Sequence, residues 1–292
     1  MKICAVVVTY NRLDLLKLTI EKLLNQTVNL DSIIIINNAS NDGTEEYLKK
    51  LSKLIICVNL KENIGGAGGF NKGLRYAYDN RYDYIWIMDD DTIATENALE
   101  MMLKGLKLLK NENIGFVCSN VLYKDNNPCL MNIPKADYIW NKFSEFSLVK
   151  VRNASFVSLL INRQVIEKVG LPITEFFIWG DDLEYTSRIN EQFNGYMIGN
   201  SIVHHYMKEN LGVSIVETEN RIDRYFYEFR NKLYIAKNSG FGGIINYIFY
   251  VVKILIKIFI KSNNFKWRKI RIVIKGVFSG LFFNPKVEYI KK

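Results

Sequence analysis

Histidine is nearly absent from this chain of 292 residues: it has two, adjacent, at His204 and His205. A metal centre built mainly from imidazoles is excluded, so a bound cation would have to rest chiefly on carboxylates. Cysteine is also sparse. Cys4, Cys57, Cys118 and Cys129 are scattered without paired or metal-type spacing, which rules out a disulfide framework or a structural zinc site. Three of the four lie in apolar, strand-like runs and read as buried free thiols of a reducing compartment. The opening "MKICAVVVTYNR" lacks both a long apolar core and a small-residue cleavage site, so it is not expected to be a signal peptide. No low-complexity linker or internal repeat is found, and neither a phosphate-loop GK[ST] nor a dinucleotide fingerprint is present.

What remains is globular in composition, 49% hydrophobic and 24% charged, and long enough to bury a substantial core. The net charge of +9 is unevenly spread. Residues 250–292 carry eleven Lys and Arg against one acid, Glu288, and the rest of the chain is close to neutral. Two regions with different tasks are implied, one over residues 1–215 that carries the aspartate triplet and a basic helical extension over residues 216–292.

Continuous apolar strands alternate with amphipathic helices through the first half. "ICAVVVTY", "SIIIIN", "LIICVNL" and "YDYIWIMD" are strands, separated by helical stretches such as "LDLLKLTIEKLL". That pattern predicts an α/β fold with a mainly parallel sheet covered on both faces. Such sheets bind ligands at the carboxyl ends of their strands, where Thr9-Tyr10-Asn11, Asn37-Asn38 and Asp89-Asp90-Asp91 fall. Further on, "GFVCSNVLY", "ASFVSLLI" and "GYMIGNSIVHHY" read as strands and "DDLEYTSRINEQF" as a helix.

The triplet Asp89-Asp90-Asp91 closes an apolar strand. Oxygen-rich clusters bind hard divalent cations, often shared with substrate phosphates. In an extended segment Asp89 and Asp91 would face one side and Asp90 the other. The plain alternative is a solvated acidic turn. "NIGGAGGFNKG", residues 63–73, lets backbone approach a ligand closely and offers Gly66, Asn71 and Lys72 as contacts, although turn chemistry explains it as well. "FFIWGDDLEY" sets aromatics before two carboxylates. An aromatic face packs on a sugar ring, and a carboxylate can act as base on a hydroxyl. The competing reading of Asp181 and Asp182 is helix capping. Neighbours on a strand face opposite ways, so one of the two histidines at most reaches a given site.

"VVVTYNR", "INNASNDGT", "NIGGAGGFNKG", "WIMDDDT" and "WGDDLEY" occur in the order and spacing of family 2 glycosyltransferases with the GT-A fold. The resemblance covers residues 1–206 and is nearest to bacterial galactofuranosyl- and rhamnosyltransferases of surface polysaccharides. It implies roles. Thr9, Tyr10 and Arg12 line the nucleotide. Asn37 and Asn38 stand where the family commonly reads the base with Asp, a departure that leaves the base contact open. Asp89 faces the nucleotide and Asp91 the metal, Mn2+ or Mg2+. Asp182 is the catalytic base, with Asp181 beside it, and Trp179 packs on a sugar. His204 matches the metal-ligand histidine, with His205 as the other register. The resemblance further implies a nucleotide-sugar donor and an inverting transfer.

The expectation is therefore an inverting, metal-dependent glycosyltransferase extending a lipid-linked glycan for a capsule or surface polysaccharide. The donor would be UDP-galactofuranose, with dTDP-rhamnose or a UDP-hexopyranose as alternatives. A sugar-nucleotide-binding scaffold and a nucleotidyltransferase are the competing classes; retention of Asp89, Asp91, Asp182 and His204 disfavours the first, and "TYNRLDLL" lacks the basic, glycine-rich signature of the second. Within residues 244–261 lysines four apart interrupt the apolar run, which disfavours a membrane-spanning helix and predicts one lying on an anionic membrane. The location would be the cytoplasmic face of the plasma membrane. Oligomer formation is the competing use of this helix, and nucleic acid is not an expected partner.

Overall fold

The computed structural model describes residues 1–51, 55–210, 212 and 214–290; Leu54 of the third strand segment and Lys291 and Lys292 of the basic tail lie outside them. The first half follows the alternation in the sequence. Strands β1 (Ile3–Thr9), β2 (Ser32–Asn37), β3 (Ile56–Asn59) and β4 (Tyr84–Asp89) run parallel in the order β3-β2-β1-β4. They are linked by helices α1 (Leu13–Leu24), α2 (Thr44–Lys50) and α3 (Gly65–Asp79).

These strands are apolar on both faces because both faces are covered. Ala5, Val7, Ile33, Ile35, Trp86 and Met88 pack with Leu16, Ile20 and Leu23 of α1. Val6, Val8, Ile34, Ile36, Ile85 and Ile87 pack with Phe70, Leu74 and Ala77 of α3. The glycines of α3 allow it to lie close on β1. A Cβ at Gly69 would stand 2.5 Å from Val8 Cγ1, and one at Gly73 2.3 Å from Val6 Cγ1.

After β4 the chain turns into β5 (Thr92–Ala94), α4 (Ala98–Leu108), β6 (Ile114–Tyr123), β7 (Lys135–Ala136), β8 (Leu148–Asn153) and β9 (Leu159–Asn162). Helices α5 (Arg163–Val169) and α6 (Asp181–Asn190) and strand β10 (Asn194–His205) complete the domain. The full sheet order is β3-β2-β1-β4-β9-β6-β10-β8-β7. The sheet is mixed: β9 runs antiparallel between β4 and β6, and β8 runs antiparallel to β10.

Beyond residue 215 come helices α7 (Tyr225–Asn238), α8 (Gly240–Lys261) and α9 (Lys266–Phe282). Ile215, Val216, Tyr225, Phe229, Ile258 and Val273 form their shared core, against which Trp179, just ahead of α6, also packs. The chain then returns to the sheet domain, where Glu288 O accepts a hydrogen bond from Leu171 N at 2.9 Å.

By length and composition alone α8 is long and apolar enough to cross a membrane, with a mean hydropathy of 1.9 over an 18-residue stretch. Only 11% of that stretch is buried. Phe249, Ile256, Phe259 and Ile260 on α8, and Trp267, Ile274 and Phe278 on α9, are exposed.

Candidate active site

The site is built where β1, β2 and β4 end. Strand β4 stops at Asp89, and Asp90 and Asp91 form a turn into β5. Strand β5 pairs antiparallel with the end of β10 in a register that sets Thr92 against His205. Asp91 O accepts a hydrogen bond from Tyr206 N at 2.9 Å, which ties the two segments together.

That pairing decides which histidine reaches the acids. His205 is buried, and its Nε2 stands 3.1 Å from Asp91 Oδ1. Ligand atoms of Asp89, Asp91 and His205 all lie within 4.8 Å of one another. His204 does not join them. Strand alternation turns it to the other side, where its Nε2 meets Asn126 Oδ1 at 2.8 Å. The structure thus corrects the choice of His204 to His205.

The ring of His205 is held from behind by groups the motifs did not reveal. Asn132 Nδ2 donates to Ser155 Oγ at 2.9 Å, which fixes the amide so that its Oδ1 accepts from His205 Nδ1–H at 2.8 Å. Cys129 Sγ donates to the same oxygen at 3.0 Å. Asn132 thus occupies Nδ1, and Nε2 faces Asp91 and Asp89, where loss of its proton would open a lone pair to a cation. The 3.1 Å contact is poorly aligned, so Asp91 Oδ1 is a buried carboxylate oxygen with a charge partner but no hydrogen bond. Two carboxylates, one of them with an orphaned oxygen, and an oriented imidazole form a donor set that fits Mn2+ or Mg2+.

Asp90 sits off the extended alternation because the strand has already ended. It is buried and holds the β1–α1 loop. Its Oδ2 accepts from Thr9 Oγ1 at 2.8 Å and from Tyr10 N at 3.3 Å, and its Oδ1 lies 3.2 Å from Arg12 Nη1. The same Arg12 nitrogen also contacts Asp91. Asp90, expected from alternation to face away from Asp89 and Asp91, has protein partners on both carboxylate oxygens.

Electrostatics follow from this crowding. Burial, then the charge of Asp91, pushes Asp89 up to about 7. Burial pushes Asp90 up to about 6 against the pull of Arg12. Burial would raise Asp91 too, but His205 and Arg12 hold it below the usual carboxylate range. Burial disfavours a charged His205, yet Asp91, the Cys129 contact and Asp89 outweigh it and raise the imidazole to about 10.

The second wall is the turn entering α6. Gly180 stands at the helix start with φ 85°, and no side chain caps the helix. Asp182 Oδ1 accepts only from the adjacent Leu183 N, at 2.7 Å. Both acids lie in the first turn of α6, where the helix dipole also favours a carboxylate. Burial pushes Asp182 up to about 6. Asp181 is raised well above the usual carboxylate range by burial, then by Asp182, and also by the charge of Asp89. Trp179 packs edge-on against Tyr225, ring centroids 4.8 Å apart.

Tyr10 is exposed at the mouth, as a nucleotide-stacking group would be. Asn37 and Asn38 are buried and already have protein partners. Asn37 Nδ2 donates to Asn59 Oδ1 at 2.8 Å, and Asn38 bridges to Gly65 O and Ile64 N, both at 2.9 Å. Gly66 has open space beside it.

Asn71 and Lys72 are not brought to the mouth, because α3 begins at Gly65 and carries them along its length. Asn71 Nδ2 donates to Pro172 O at 2.9 Å and to Glu288 Oε2 at 3.0 Å. Lys72 also lies near Glu288 and, with Arg75 and the Asn71 hydrogen bond, holds that acid below its ordinary range against burial. These residues fasten the C-terminal return.

A parallel strand edge ending in paired aspartates, faced by a histidine and by a second acid pair, defines a glycosyltransferase of the GT-A fold. The chain belongs to glycosyl transferase family 2, whose model matches residues 4–168. It is 23% identical over 258 residues to galactofuranosyltransferase GlfT1 of Mycolicibacterium smegmatis, covering 82% of this chain and 84% of that protein. It is 31% identical over 131 residues to a poly-beta-1,6-N-acetyl-D-glucosamine synthase of Staphylococcus aureus (strain MSSA476). That match covers 44% of this chain but 31% of the synthase, so the chain spans less than a third of that relative's length. Among solved structures, mannosyltransferase PcManGT from Pyrobaculum calidifontis, in complex with GDP-Man and Mn2+, superposes with a TM-score of 0.57 at 13% identity. That superposition covers 96% of this chain and 87% of the other.

Proposed function

We propose that the chain is an inverting, metal-dependent glycosyltransferase that transfers a sugar from a nucleotide donor to a hydroxyl of a lipid-linked glycan at an anionic membrane surface. The observation that carries this reading is the shared cleft of two acid groups with different tasks. Ligand atoms of Asp89, Asp91 and His205 lie together, and the charge of Asp89 reaches Asp181, next to Asp182 at the start of α6. A divalent cation held by Asp89, Asp91 and His205 would offset the charge that builds on the departing diphosphate. The imidazole favours Mn2+ over Mg2+ in that place.

Asp182 acts as the base. Its carboxyl makes a single local hydrogen bond and is raised by burial into the range where it both holds and releases a proton near neutral pH. It takes the proton of the acceptor hydroxyl as that oxygen attacks the anomeric carbon from the side opposite the diphosphate, so one displacement inverts the centre. Trp179, held against Tyr225, offers a face to the acceptor sugar. Tyr10 and Arg12 border the nucleotide side. Galactofuranose from UDP-galactofuranose is the first donor, in keeping with the likeness to GlfT1 over most of both chains.

The exposed apolar residues of α8 and α9, flanked by Lys253, Lys257, Arg268 and Arg271, support an orientation with this helix pair in the membrane interface. The test of the whole reading is a donor panel of UDP-galactofuranose, dTDP-rhamnose and UDP-hexopyranoses with Mn2+ and a lipid-linked glycan acceptor. Formation of a glycosylated product of inverted anomeric configuration supports it. Release of nucleoside diphosphate without any glycosylated product contradicts it.

A further inference from the structure

The segment entering α6 is strained. Ile178 N donates to Phe176 O at 2.7 Å across Phe177, whose φ of 63° and ψ of −61° make the rare γ-turn of positive φ. Trp179 follows with φ 64° and Gly180 with φ 85°. Non-glycine residues in such conformations cost roughly 1–3 kcal/mol each and persist only where the surroundings over-determine them. The surroundings here come from two directions. Ala67 N donates to Phe177 O at 3.2 Å from the start of α3. Opposite it, on α7, stands Asn231.

Asn231 is fully buried. Its Nδ2 lies 3.0 Å from Phe176 O, 3.2 Å from Ile178 O and 2.8 Å from Trp179 O. Arg230 Nε donates to Asn231 Oδ1 at 3.0 Å, which fixes the amide with its nitrogen toward the strained turn. Arg230 in turn lies over the Phe283 ring, 3.9 Å from its centroid, and its Nη2 donates to Phe176 O at 3.3 Å.

We propose that Asn231 is a positioning residue for the transfer reaction: its side-chain amide holds the Phe176–Trp179 turn in the one conformation that aims Trp179 and Asp182 into the cleft. The inference rests on Asp182 being the base. It also makes the C-terminal helices part of the catalytic apparatus, because the clamp belongs to α7, which packs on both α8 and α9. Asn231 itself does not touch the reacting atoms. A displacement of the base by about 1 Å is enough to cost a hundredfold in rate.

The experiment uses the full chain with Asn231→Asp, which keeps the shape and the Arg230 contact but removes the donor hydrogens, and with Asn231→Ala. Leu233→Ala on the same helix is the control for stability, since Leu233 is buried against α9 away from the turn. Binding of UDP with Mn2+, steady-state turnover and amide hydrogen exchange are measured for each. Expected for both Asn231 variants is a loss of kcat of about a hundredfold, with UDP–Mn2+ affinity within about threefold of the parent. Exchange should accelerate at residues 177–183, and Leu233→Ala should lower the melting temperature while keeping kcat.

Parent-like kcat in both Asn231 variants overturns the proposal. So does unchanged exchange at residues 177–183, or a kcat loss in Leu233→Ala as large as theirs. Asp182→Asn is run alongside: if that variant also turns over normally, the base assignment has failed, whereas inactive Asp182→Asn with active Asn231 variants fails the clamp alone.

Discussion

His205 Nε2 stands 3.1 Å from Asp91 Oδ1, while His204, one residue earlier, turns its ring to Asn126. The pairing of Thr92 with His205 sets that choice, because it fixes which side of β10 faces the turn after β4. Removing the imaginary freedom between the two histidines gives a sharp contrast. Ala at Asp91 or His205 should weaken Mn2+-dependent UDP binding by about 10–100-fold. His204→Ala should bind as the parent does. Calorimetric titration of UDP in the presence and absence of Mn2+ reads both.

Asp90 should behave unlike its neighbours. Its bonds to Thr9, Tyr10 and Arg12 are those of a bracket for the β1–α1 loop. Asp90→Ala leaves a buried hydroxyl and a backbone N–H without their acceptor, at a cost of about 1–3 kcal/mol. Chemical denaturation should show that loss, and UDP–Mn2+ binding should separate the two positions, because Asp91→Ala removes a proposed metal ligand as well as the partner of Arg12 and His205. Equal losses at Asp89, Asp90 and Asp91 in both stability and UDP binding would remove the distinction.

The pH dependence has a definite sign. Asp182 must be ionised to accept the acceptor's proton, and burial raises it to about 6. Turnover should fall about tenfold per pH unit below that value, rather than near the ordinary carboxylate value of about 4. Binding of UDP–Mn2+ measured over the same range separates loss of base from loss of donor. A folded-state value above the unfolded one also means that ionised Asp182 opposes folding at neutral pH. Asp182→Asn should therefore melt no lower than the parent at pH 7.5 while losing transfer.

Gly65 cannot carry a side chain. A Cβ there would fall 2.0 Å from Phe177 O, and its φ is 77°. Backbone blocks backbone at that point, so Gly65→Ala should destabilise by roughly 2 kcal/mol or more and disturb the base-bearing turn. Gly66→Ala, one residue on and facing open space, should be nearly neutral. Melting curves of the pair decide it.

The exposed face of α8 should be separable from the chemistry. Ile256→Glu and Phe259→Glu place charge on residues that are 54% and 61% exposed. Each should reduce sedimentation with phosphatidylglycerol vesicles at moderate salt without changing UDP–Mn2+ binding. Unchanged sedimentation would point to a protein partner on that face. Point changes are preferred to deleting residues after 215, since deletion also removes Asn231.

Much of the site was legible because its residues are consecutive. Strand ends put Thr9, Asp89 and Asp91 at the carboxyl edge of the sheet, and hydrophobic periodicity gave the α/β order, whereas the role of Asp182 rested on the family resemblance. Long-range register was not legible. Whether His204 or His205 faces Asp91 depends on β5 meeting β10, and Asn132 reaches His205 across 73 residues. Asn71 sits in a glycine-rich motif that resembles a ligand loop, yet the helix starts six residues earlier and carries it to Glu288, 217 residues away. Asn231 lies within an ordinary amphipathic helix, where nothing local distinguishes a clamp from a solvated amide.

The central claim is that Asp182 removes the acceptor's proton in a transfer from a nucleotide sugar. Parent and Asp182→Asn proteins, each with Mn2+, are assayed for a glycosylated lipid-linked product from UDP-galactofuranose and the other donors, with UDP–Mn2+ affinity measured in parallel. The expected result is product from the parent, a loss of turnover of at least about a hundredfold in Asp182→Asn, and equal UDP–Mn2+ affinity in the two. Parent-like turnover in Asp182→Asn would contradict the claim.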